Sequence, residues 1–479
     1  MKINQYFITN DTEIRIEDDG FNALNIDSFR VYAHKNLKLE YVLENGNELV
    51  ILGDIFNPLK PDDSNSVIAN ELVKLSSFDK LMQTTDKLTG RFIMFAKIEE
   101  TYHLLSDFFC QRQAYYWFDD DNFYASSSDK LLLDSLGLKL EMDESKKALS
   151  TSNYFLKIHE HWFLGETDWD NRLKKLIPNH SLSISNKVAE RIPIYAPRAI
   201  DKASFEKEVL ITFKNSISAY TMRYSLMLGL TSGYDSRLLM SSSITLNKLI
   251  KYFTFNRKDV YVERDVTIAK KLVKQYKLNY KDIEVEALSE AFKTEFEQLF
   301  LVPRLLDKTK NIQWFKNQNL QNTAVVSGNG GATIRSIYKE SEFKDSYSIC
   351  KVIELEPSAY NLSAIDSWFS NAKSYTTENG LLVSDLFYLE VRLGKWGNKM
   401  VHEMDVSGVE EFSPYNNRNL MYSILLNYNE EERKTITLNL LEQSLEGVTD
   451  IPFNPKTWKD TVKKIIFYEH YKKLIQRIK

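Results

Sequence analysis

The sequence predicts two units of different fold class, an α+β unit with mainly antiparallel strands and then an α/β unit with a parallel sheet. In residues 1–195, short and partly alternating apolar segments are separated by turn signals such as Asn45-Gly46, which is typical of antiparallel strands. After the segment 196–201, helical spacing of apolar residues alternates with strand-like segments, which indicates a parallel sheet. We therefore divide the chain into domains 1–195 and 196–479.

The first unit is predicted to contain strands with two helical interruptions. The strands are expected at Leu37–Leu43, Leu49–Ile55, Phe92–Ile98, His103–Asp107 and Phe123–Ser126. The helices are expected near Ser66–Leu75 and Ser128–Leu136.

The second unit is predicted to begin with a helix that has one apolar face. Its stripe consists of Val209, Phe213, Ile217 and Tyr220, and Ser204 is the expected N-cap. Later helices are expected from about Ser236 and over Glu263–Tyr276, and the chain is mostly helical after Ala287. The strands are expected at Tyr224–Leu230, Leu249–Phe255, Tyr280–Val285 and Thr323–Ser327.

Bulk properties exclude several classes of function. The chain has 479 residues and a formal net charge of −4, which indicates no broad attraction to nucleic acid. Its two cysteines, Cys110 and Cys350, lie far apart, so neither a disulfide framework nor a Cys-based zinc site is expected. No apolar run reaches the roughly 18 residues that span a bilayer, and the first residues lack a signal-peptide pattern. We expect a cytoplasmic protein, and a homodimer stays open.

A strand, a tight polar turn and a helix are predicted around Leu230-Thr-Ser-Gly-Tyr-Asp-Ser-Arg237. A helix N-terminus offers free N–H groups to an anion, and Gly233 permits close backbone approach. Asp235 would repel a phosphate unless it holds a divalent cation that bridges the phosphates. The alternative is a corner whose polar residues only cap the helix.

This segment resembles the Leu-Ser-Gly-Gly-x-Asp-Ser motif of the ATP-pyrophosphatase domain of asparagine synthetases. Tyr252–Phe255 resembles the strand that lines the adenine pocket of that family, and Val325–Gly331 resembles its second glycine-containing loop. The resemblance implies an adenine-nucleotide α-hydrolase-like domain with a helical extension, using ATP and magnesium. The implied cofactor-binding residues are Leu230, Thr231, Ser232, Gly233, Tyr234, Asp235, Ser236, Arg237, Phe253, Thr254, Phe255, Gly328, Gly330, Gly331 and Arg335.

The first unit resembles the glutaminase-like domain of the same family, which implies an Ntn-hydrolase-like antiparallel sandwich. The similar segments are Gly90–Phe92, Asp107 with Tyr115-Tyr116, Ala125–Ser127 and Leu176–His180. Amidotransferases of this family carry a nucleophilic cysteine after the initiator methionine, but here that position is Lys2. We therefore expect no glutamine hydrolysis, as in β-lactam synthetases and lasso-peptide cyclases.

The implied function is an ATP-dependent ligase that adenylates a small-molecule or peptide carboxylate and captures it with an amine. Ala332 and Thr333 stand where the family has acidic residues, so metal binding depends on Asp235. This departure keeps a second hypothesis open, a non-catalytic member that binds nucleotide or substrate. Arg335 is expected either to bind a phosphate or carboxylate or to form a surface salt bridge.

Two further catalytic candidates, Glu390 and Lys456, have structural alternatives. Glu390 belongs to a loose resemblance around Glu390-Val-Arg392, and its alternative is a salt bridge between helices. Lys456 lies in a basic tail, where it either stabilises charge on the acyl intermediate or belongs to the solvated face of a docking helix. We expect His159, His161 and His402 to pack locally rather than to bind metal.

Overall fold

A computed structural model describes residues 4–153, 155, 160–257 and 260–456. In these residues, two six-stranded antiparallel sheets precede one five-stranded parallel sheet. The antiparallel strands are β1 Tyr6–Thr9, β2 Phe21–Ile26, β3 Phe29–His34, β4 Leu39–Glu44, β5 Asn47–Phe56, β6 Thr89–Ile98, β7 Thr101–Ser106, β8 Tyr115–Asp119, β9 Asn122–Ser126, β10 Lys174–Lys175, β11 His180–Ser183 and β12 Val188–Arg191. The parallel strands are β13 Ser225–Gly229, β14 Ile250–Asn256, β15 Tyr280–Glu284, β16 Thr323–Val326 and β17 Glu410–Phe412.

The helices lie partly against the antiparallel sheets and mostly around the parallel one. In the first unit they are α1 Asn65–Leu72, α2 Phe78–Thr85, α3 Asp129–Ser135 and α4 Glu144–Ser150. The later α-helices are α5 Lys202–Arg223, α6 Tyr234–Ser242, α7 Val260–Tyr276, α8 Glu290–Leu299, α9 Thr309–Asn317, α10 Ser346–Val352, α11 Ala359–Asn379, α12 Val383–Phe387, α13 Asn398–Met404, α14 Arg418–Asn427 and α15 Glu430–Ser444. A π-helix, Tyr388–Gly397, joins α12 to α13.

The two antiparallel sheets pack face to face. One sheet has the order β10-β8-β9-β1-β3-β2 and the other the order β12-β11-β7-β6-β5-β4. Ile8 of the first and Val50 of the second belong to one buried apolar cluster between them. Outside the sandwich, Leu132 of α3 packs against the first sheet and Ile68 of α1 against the second. The result is a layered helix–sheet–sheet–helix arrangement.

The parallel sheet has the order β15-β14-β13-β16-β17, so its strand order reverses beside β13. The chain moves outward from β13 to β15 and then returns to place β16 on the other side of β13. The connections that follow β13 and β16 therefore leave the same edge of the sheet as neighbours. Such a reversal opens a crevice at the carboxyl ends of the strands.

The predicted mixture of an antiparallel and a parallel part is confirmed. Every predicted strand has a counterpart, and the apolar stripe at Val209, Phe213, Ile217 and Tyr220 is buried in the core. The N-cap prediction is wrong, because α5 begins earlier and Asp201 accepts the hydrogen bond from the Ser204 N–H. The division into domains 1–195 and 196–479 stays a prediction.

Buried ion pairs join the two units. The Arg91 guanidinium donates to both oxygens of Asp405 at 2.7 and 2.8 Å, and Arg112 donates to Glu410 at 2.9 Å. Both arginines are almost fully buried. Because buried charges are costly unless they are paired, these contacts fix the antiparallel sandwich against the later helices. None of the described helices is both long and apolar enough to cross a membrane.

Candidate functional site

The loop between β13 and α6 is anchored to the neighbouring strand β14. The Leu230 N–H donates to the Phe253 carbonyl at 2.7 Å, and the Thr254 hydroxyl donates to the Leu230 carbonyl at 2.5 Å. Leu230 itself is buried in the core. These contacts hold the start of the loop at the carboxyl edge of the sheet.

The loop is also braced from within. The Thr231 N–H donates to the Ser236 hydroxyl at 3.1 Å, and the two hydroxyls lie 2.8 Å apart. The Gly233 N–H donates to the Thr231 hydroxyl at 3.2 Å. Gly233 is the N-cap of α6 and provides no side-chain capping hydrogen bond. The N–H groups of the first turn of α6 are therefore available to an anion.

The second glycine-containing loop packs directly against the first one. A Cβ atom on Gly328 would lie 2.8 Å from Cβ of Asp235, and one on Gly331 would lie 2.7 Å from its Cγ. Gly330 has a φ of +84°, and a Cβ there would meet the Phe109 ring at 2.1 Å. Only glycines permit this approach, and the two loops therefore meet around Asp235.

Asp235 and Arg335 form a bidentate ion pair. Arg335 Nη2 donates to Oδ2 of Asp235 at 2.8 Å, and Nη1 donates to Oδ1. Burial alone would lower the pKa of Arg335, but the hydrogen bond and charge of Asp235 outweigh it and raise the pKa. The guanidinium is therefore a permanent cation in the site. Its side chain is 23% exposed and that of Asp235 is 24% exposed, so the pair is open on one side.

The residues present do not fit a magnesium ion at Asp235. Magnesium requires several oxygen ligands in near-octahedral geometry. Both oxygens of Asp235 accept from Arg335, and the turn that follows Gly331 carries Ala332 and Thr333 rather than acids. Across the part of the chain that the structure describes, no three His, Cys, Asp or Glu side chains cluster as metal ligands would.

Arg237 lies beneath the loop and holds the segment 448–453. Its guanidinium is fully buried, donates to the carbonyls of Ile451 and Pro452 at 2.5 and 3.1 Å, and lies 3.8 Å from the Phe453 ring centroid. Burial lowers the pKa of Arg237 to about 10. The Phe453 ring in turn stacks on Tyr234, with centroids 4.4 Å apart. Arg237 and Tyr234 thus connect the loop to the end of the described chain.

The same C-terminal segment contacts the loop backbone. The Asn454 N–H donates to the Ser232 carbonyl at 3.1 Å, and the Ser232 hydroxyl lies 3.1 Å from the Asn454 side-chain oxygen. Lys456 follows two residues later and is exposed. Lys456 is thus two residues in sequence from a residue that contacts the loop. Its catalytic role stays a prediction.

Asp265 is a site residue that the sequence did not single out. It lies on α7, and its carboxylate accepts from the Ser232 N–H at 2.9 Å and from the Ser232 hydroxyl at 2.5 Å. Its position against the loop depends on the packing of α7, which a local pattern does not specify. The Asp265 carboxylate shows that the Ser232 N–H and hydroxyl can both donate to an anionic oxygen.

The side chains of β14 divide between the two faces of the sheet. Thr254 faces the loop, whereas Phe253 and Phe255 pack edge-on against Phe315 at centroid distances of 5.8 and 5.3 Å. Residues two apart on a strand share a face, which accounts for this division. The role of these residues in an adenine pocket stays a prediction.

Glu390 lies where the two units meet. Its oxygens accept from Arg191 at 2.8 and 2.9 Å, from Asn179 at 3.1 Å and from the Trp368 indole at 2.9 Å. Burial alone would raise the pKa of Glu390, but the hydrogen bond from Arg191 and neighbouring positive charges lower it. Among the described residues, its hydrogen-bond and ion-pair partners include no residue of the loop 230–236, which favours the structural alternative.

Two of the three singled-out histidines lie among aromatic rings. His402 is edge-on to Phe300 at a centroid distance of 5.4 Å, and its Nδ1 lies 3.5 Å from Asp405. His161 stacks on Phe155 at 6.1 Å. His159 and Lys2 lie outside the described residues, as does the tail beyond Lys456.

No family model and no curated protein matches this chain. Among solved structures, it has a partial likeness to the NMN synthetase from Francisella tularensis, with 14% identity, a TM-score of 0.21, and coverage of 33% of this chain and 73% of that one. The glutamine phosphoribosylpyrophosphate amidotransferase from B. subtilis gives 10% identity, a TM-score of 0.24, and coverage of 69% and 71%. The glutamine-dependent NAD+ synthetase from Acinetobacter baumannii has 12% identity and a TM-score of 0.19, with coverage of 55% of this chain and 54% of that one. Likenesses at this level assign neither a function nor a ligand.

Proposed function

We propose that the chain binds the phosphates of ATP at the loop 230–236. The observation that carries the proposal is the meeting of this loop with the loop 327–331 where the strand order of the parallel sheet reverses. In open α/β sheets, ligands bind in this crevice. The uncapped N–H groups of α6, with the hydroxyls of Thr231 and Ser236, provide donors for phosphate oxygens.

The asparagine-synthetase resemblance supports amide formation as the use of this ATP. A carboxylate oxygen of a small-molecule or peptide substrate would attack the α-phosphorus, whose bond to the bridging oxygen of pyrophosphate breaks. The loop donors would stabilise the departing pyrophosphate. An amine nitrogen would then attack the acyl carbon, release AMP and lose a proton, and Lys456 would offset charge on the acyl intermediate. Glutamine is not the amine source in this proposal, because Lys2 replaces the nucleophilic cysteine.

A second candidate function is nucleotide binding without amide formation. The specific observation in its favour is that Arg335 engages both oxygens of Asp235, the residue predicted to hold the metal. A guanidinium carries one positive charge and cannot act as a divalent Lewis acid. In this second role, the bound nucleotide would stabilise the fold or regulate a partner.

ATP binding is tested by calorimetric titration of the full chain with nucleotide up to about millimolar concentration. Ser236→Ala removes a hydroxyl of the loop, and we expect it to weaken ATP binding about tenfold, as for the loss of a charge-assisted hydrogen bond. Ser242→Ala is the matched control, because this buried serine lies at the other end of α6. If the wild-type chain releases no heat with ATP and gains no thermal stability from it, the proposal is wrong.

The two roles are separated by exchange of labelled pyrophosphate into ATP in the presence of a panel of carboxylates. A ligase forms the acyl-adenylate reversibly and therefore exchanges label, and Asp235→Asn should abolish that exchange, because the carboxylate that holds Arg335 in the site is lost. Unchanged exchange in Asp235→Asn would contradict the role of this carboxylate. ATP binding without exchange across the panel would favour the non-catalytic role.

A further inference from the structure

We propose that Arg335 is the built-in cation of this site, so that nucleotide binds there without a divalent metal ion at Asp235. The inference rests on the proposed ATP site and adds how that site balances phosphate charge. Its starting point is the bidentate pair, in which a guanidinium occupies the two carboxylate oxygens that the sequence assigned to magnesium.

The pair is fixed by its surroundings. Gly328 and Gly331 press against Asp235 so closely that a single Cβ atom on either would overlap it. Tyr415 closes another side, since its ring would lie 3.0 Å from a Cβ on Gly331. Asp235 therefore has little room to turn away from Arg335 and present its oxygens to a metal ion.

Arg335 keeps donors for a ligand after it binds Asp235. A guanidinium has five N–H groups, and the two hydrogen bonds to Asp235 use two of them. The side chain is partly exposed and lies 5.7 Å from the ring centroid of Tyr234, the first residue of α6. The cation is thus held beside the helix N-terminus, where the phosphates are proposed to bind. Arginine is well suited to such phosphate contacts.

The charge of the ligand then decides its affinity. Free ATP should bind this site without a metal ion, because Arg335 offsets the charge of Asp235 and keeps N–H groups for phosphate oxygens. We expect wild-type protein to bind ATP at least as tightly in excess EDTA as in excess magnesium. A requirement for magnesium in the wild-type chain would overturn the inference, whether or not any variant folds.

The matched variants are Arg335→Met and Arg172→Met. Arg172 also makes a bidentate pair, with Asp170, and its side chain is 24% exposed against 23% for Arg335. We expect Arg335→Met to weaken ATP binding in EDTA by tenfold or more and to regain affinity when magnesium is added, because Asp235 is released. Arg172→Met should keep wild-type affinity in both buffers.

The outcomes separate this inference from the proposed function. Absence of ATP binding in both buffers would overturn the ATP site and the inference with it. Binding that is unchanged by Arg335→Met in EDTA would overturn the inference and leave the ATP site standing. Titration with Mn²⁺ in the presence of ATP provides a second readout. Paramagnetic broadening of the protein's NMR signals should appear with Arg335→Met and remain weak with wild-type protein.

Discussion

At the scale of single residues, Glu390 shows how neighbours decide the role of a carboxylate. Asn179 and Arg191 from the first unit and Trp368 from α11 all donate to it, and its side chain is fully buried. In the sequence, the spacing of Glu390 and Arg392 gave no reason to choose between a catalytic role and a structural ion pair. The donors around it favour a tether between the two units.

We expect Glu390→Gln to lower the free energy of unfolding by about 3 kcal/mol, because it leaves the half-buried Arg191 without its charged partner. Urea unfolding measures this loss. Glu144→Gln, which disrupts an exposed pair with Lys147, should change it by less than about 1 kcal/mol. ATP affinity should stay at the wild-type value in Glu390→Gln. Unchanged stability with loss of pyrophosphate exchange would instead support the catalytic role.

At the scale of elements, local patterns predicted the strands β4 to β7, β9 and β13 to β16, but they missed β2, β3, β8, β10, β11 and β12. The three-residue strand β17 was missed, because so short a segment has no measurable alternation. β1 was also missed, since all four of its residues are buried and its pattern does not alternate. The ten-residue π-helix over Tyr388–Gly397 has no sequence signature of its own.

The contact between the two glycine-containing loops leads to a prediction about these elements. We expect Gly331→Ala to weaken ATP binding at least about fivefold, because the added Cβ would separate the loops or displace Asp235. Gly229→Ala is the control, since a Cβ there would meet only Phe253, at an ordinary 3.7 Å. Calorimetry compares the two variants. Equal affinity in both would mean that the packing of these loops does not matter for binding.

At the scale of the whole molecule, a cluster of buried charge lies where the two units meet. Lys175 and Asp168 come from the first unit and Lys395 from the π-helix, with Lys395 Nζ 2.8 Å from Asp168 Oδ1 and Lys175 Nζ at 3.8 Å from Oδ2. Nearby, Lys146 donates to the Thr167 hydroxyl at 2.9 Å. Asp129 and Asp170 also act on these lysines, so the cluster contains several buried charges of both signs.

Together with Lys399, which also interacts with Asp168, Lys146 and Lys175 predict an unusual dependence of stability on pH. Burial, together with Lys395, lowers the pKa of Lys146 to about 8, and burial is also the main cause that lowers the pKa values of Lys175 and Lys399 to about 8. An unfolded lysine has a pKa near 10.4, so between about pH 8 and 10 the unfolded chain holds more protons and the folded state gains stability as pH rises. Below about pH 8 both states are protonated and this contribution is constant.

We expect the urea midpoint to increase from about pH 7.5 to 9, because the gain from three lysines exceeds the opposite effect of Cys110 and Cys350, whose thiol pKa values are raised by burial, and unfolded tyrosines are still mostly protonated. Lys146→Met should raise stability at about pH 7.5 and reduce the increase, since it removes one of the three lysines. Lys147→Met is the control, because Lys147 is the adjacent residue on α4 and is exposed. A midpoint that falls over this range in wild-type protein would contradict the prediction.

The sequence by itself determined the two-part fold class and the loop 230–237 with its glycines. Each follows from the local spacing or the identity of residues, which do not depend on tertiary contacts. Only the tertiary structure decided what surrounds Asp235. Arg335 lies 100 residues away in sequence, and Asn454 lies 222 residues from Ser232, yet both contact the loop. Contacts between residues so distant in sequence depend on how the sheet, α6 and the C-terminal segment pack. No local sequence pattern specifies that packing.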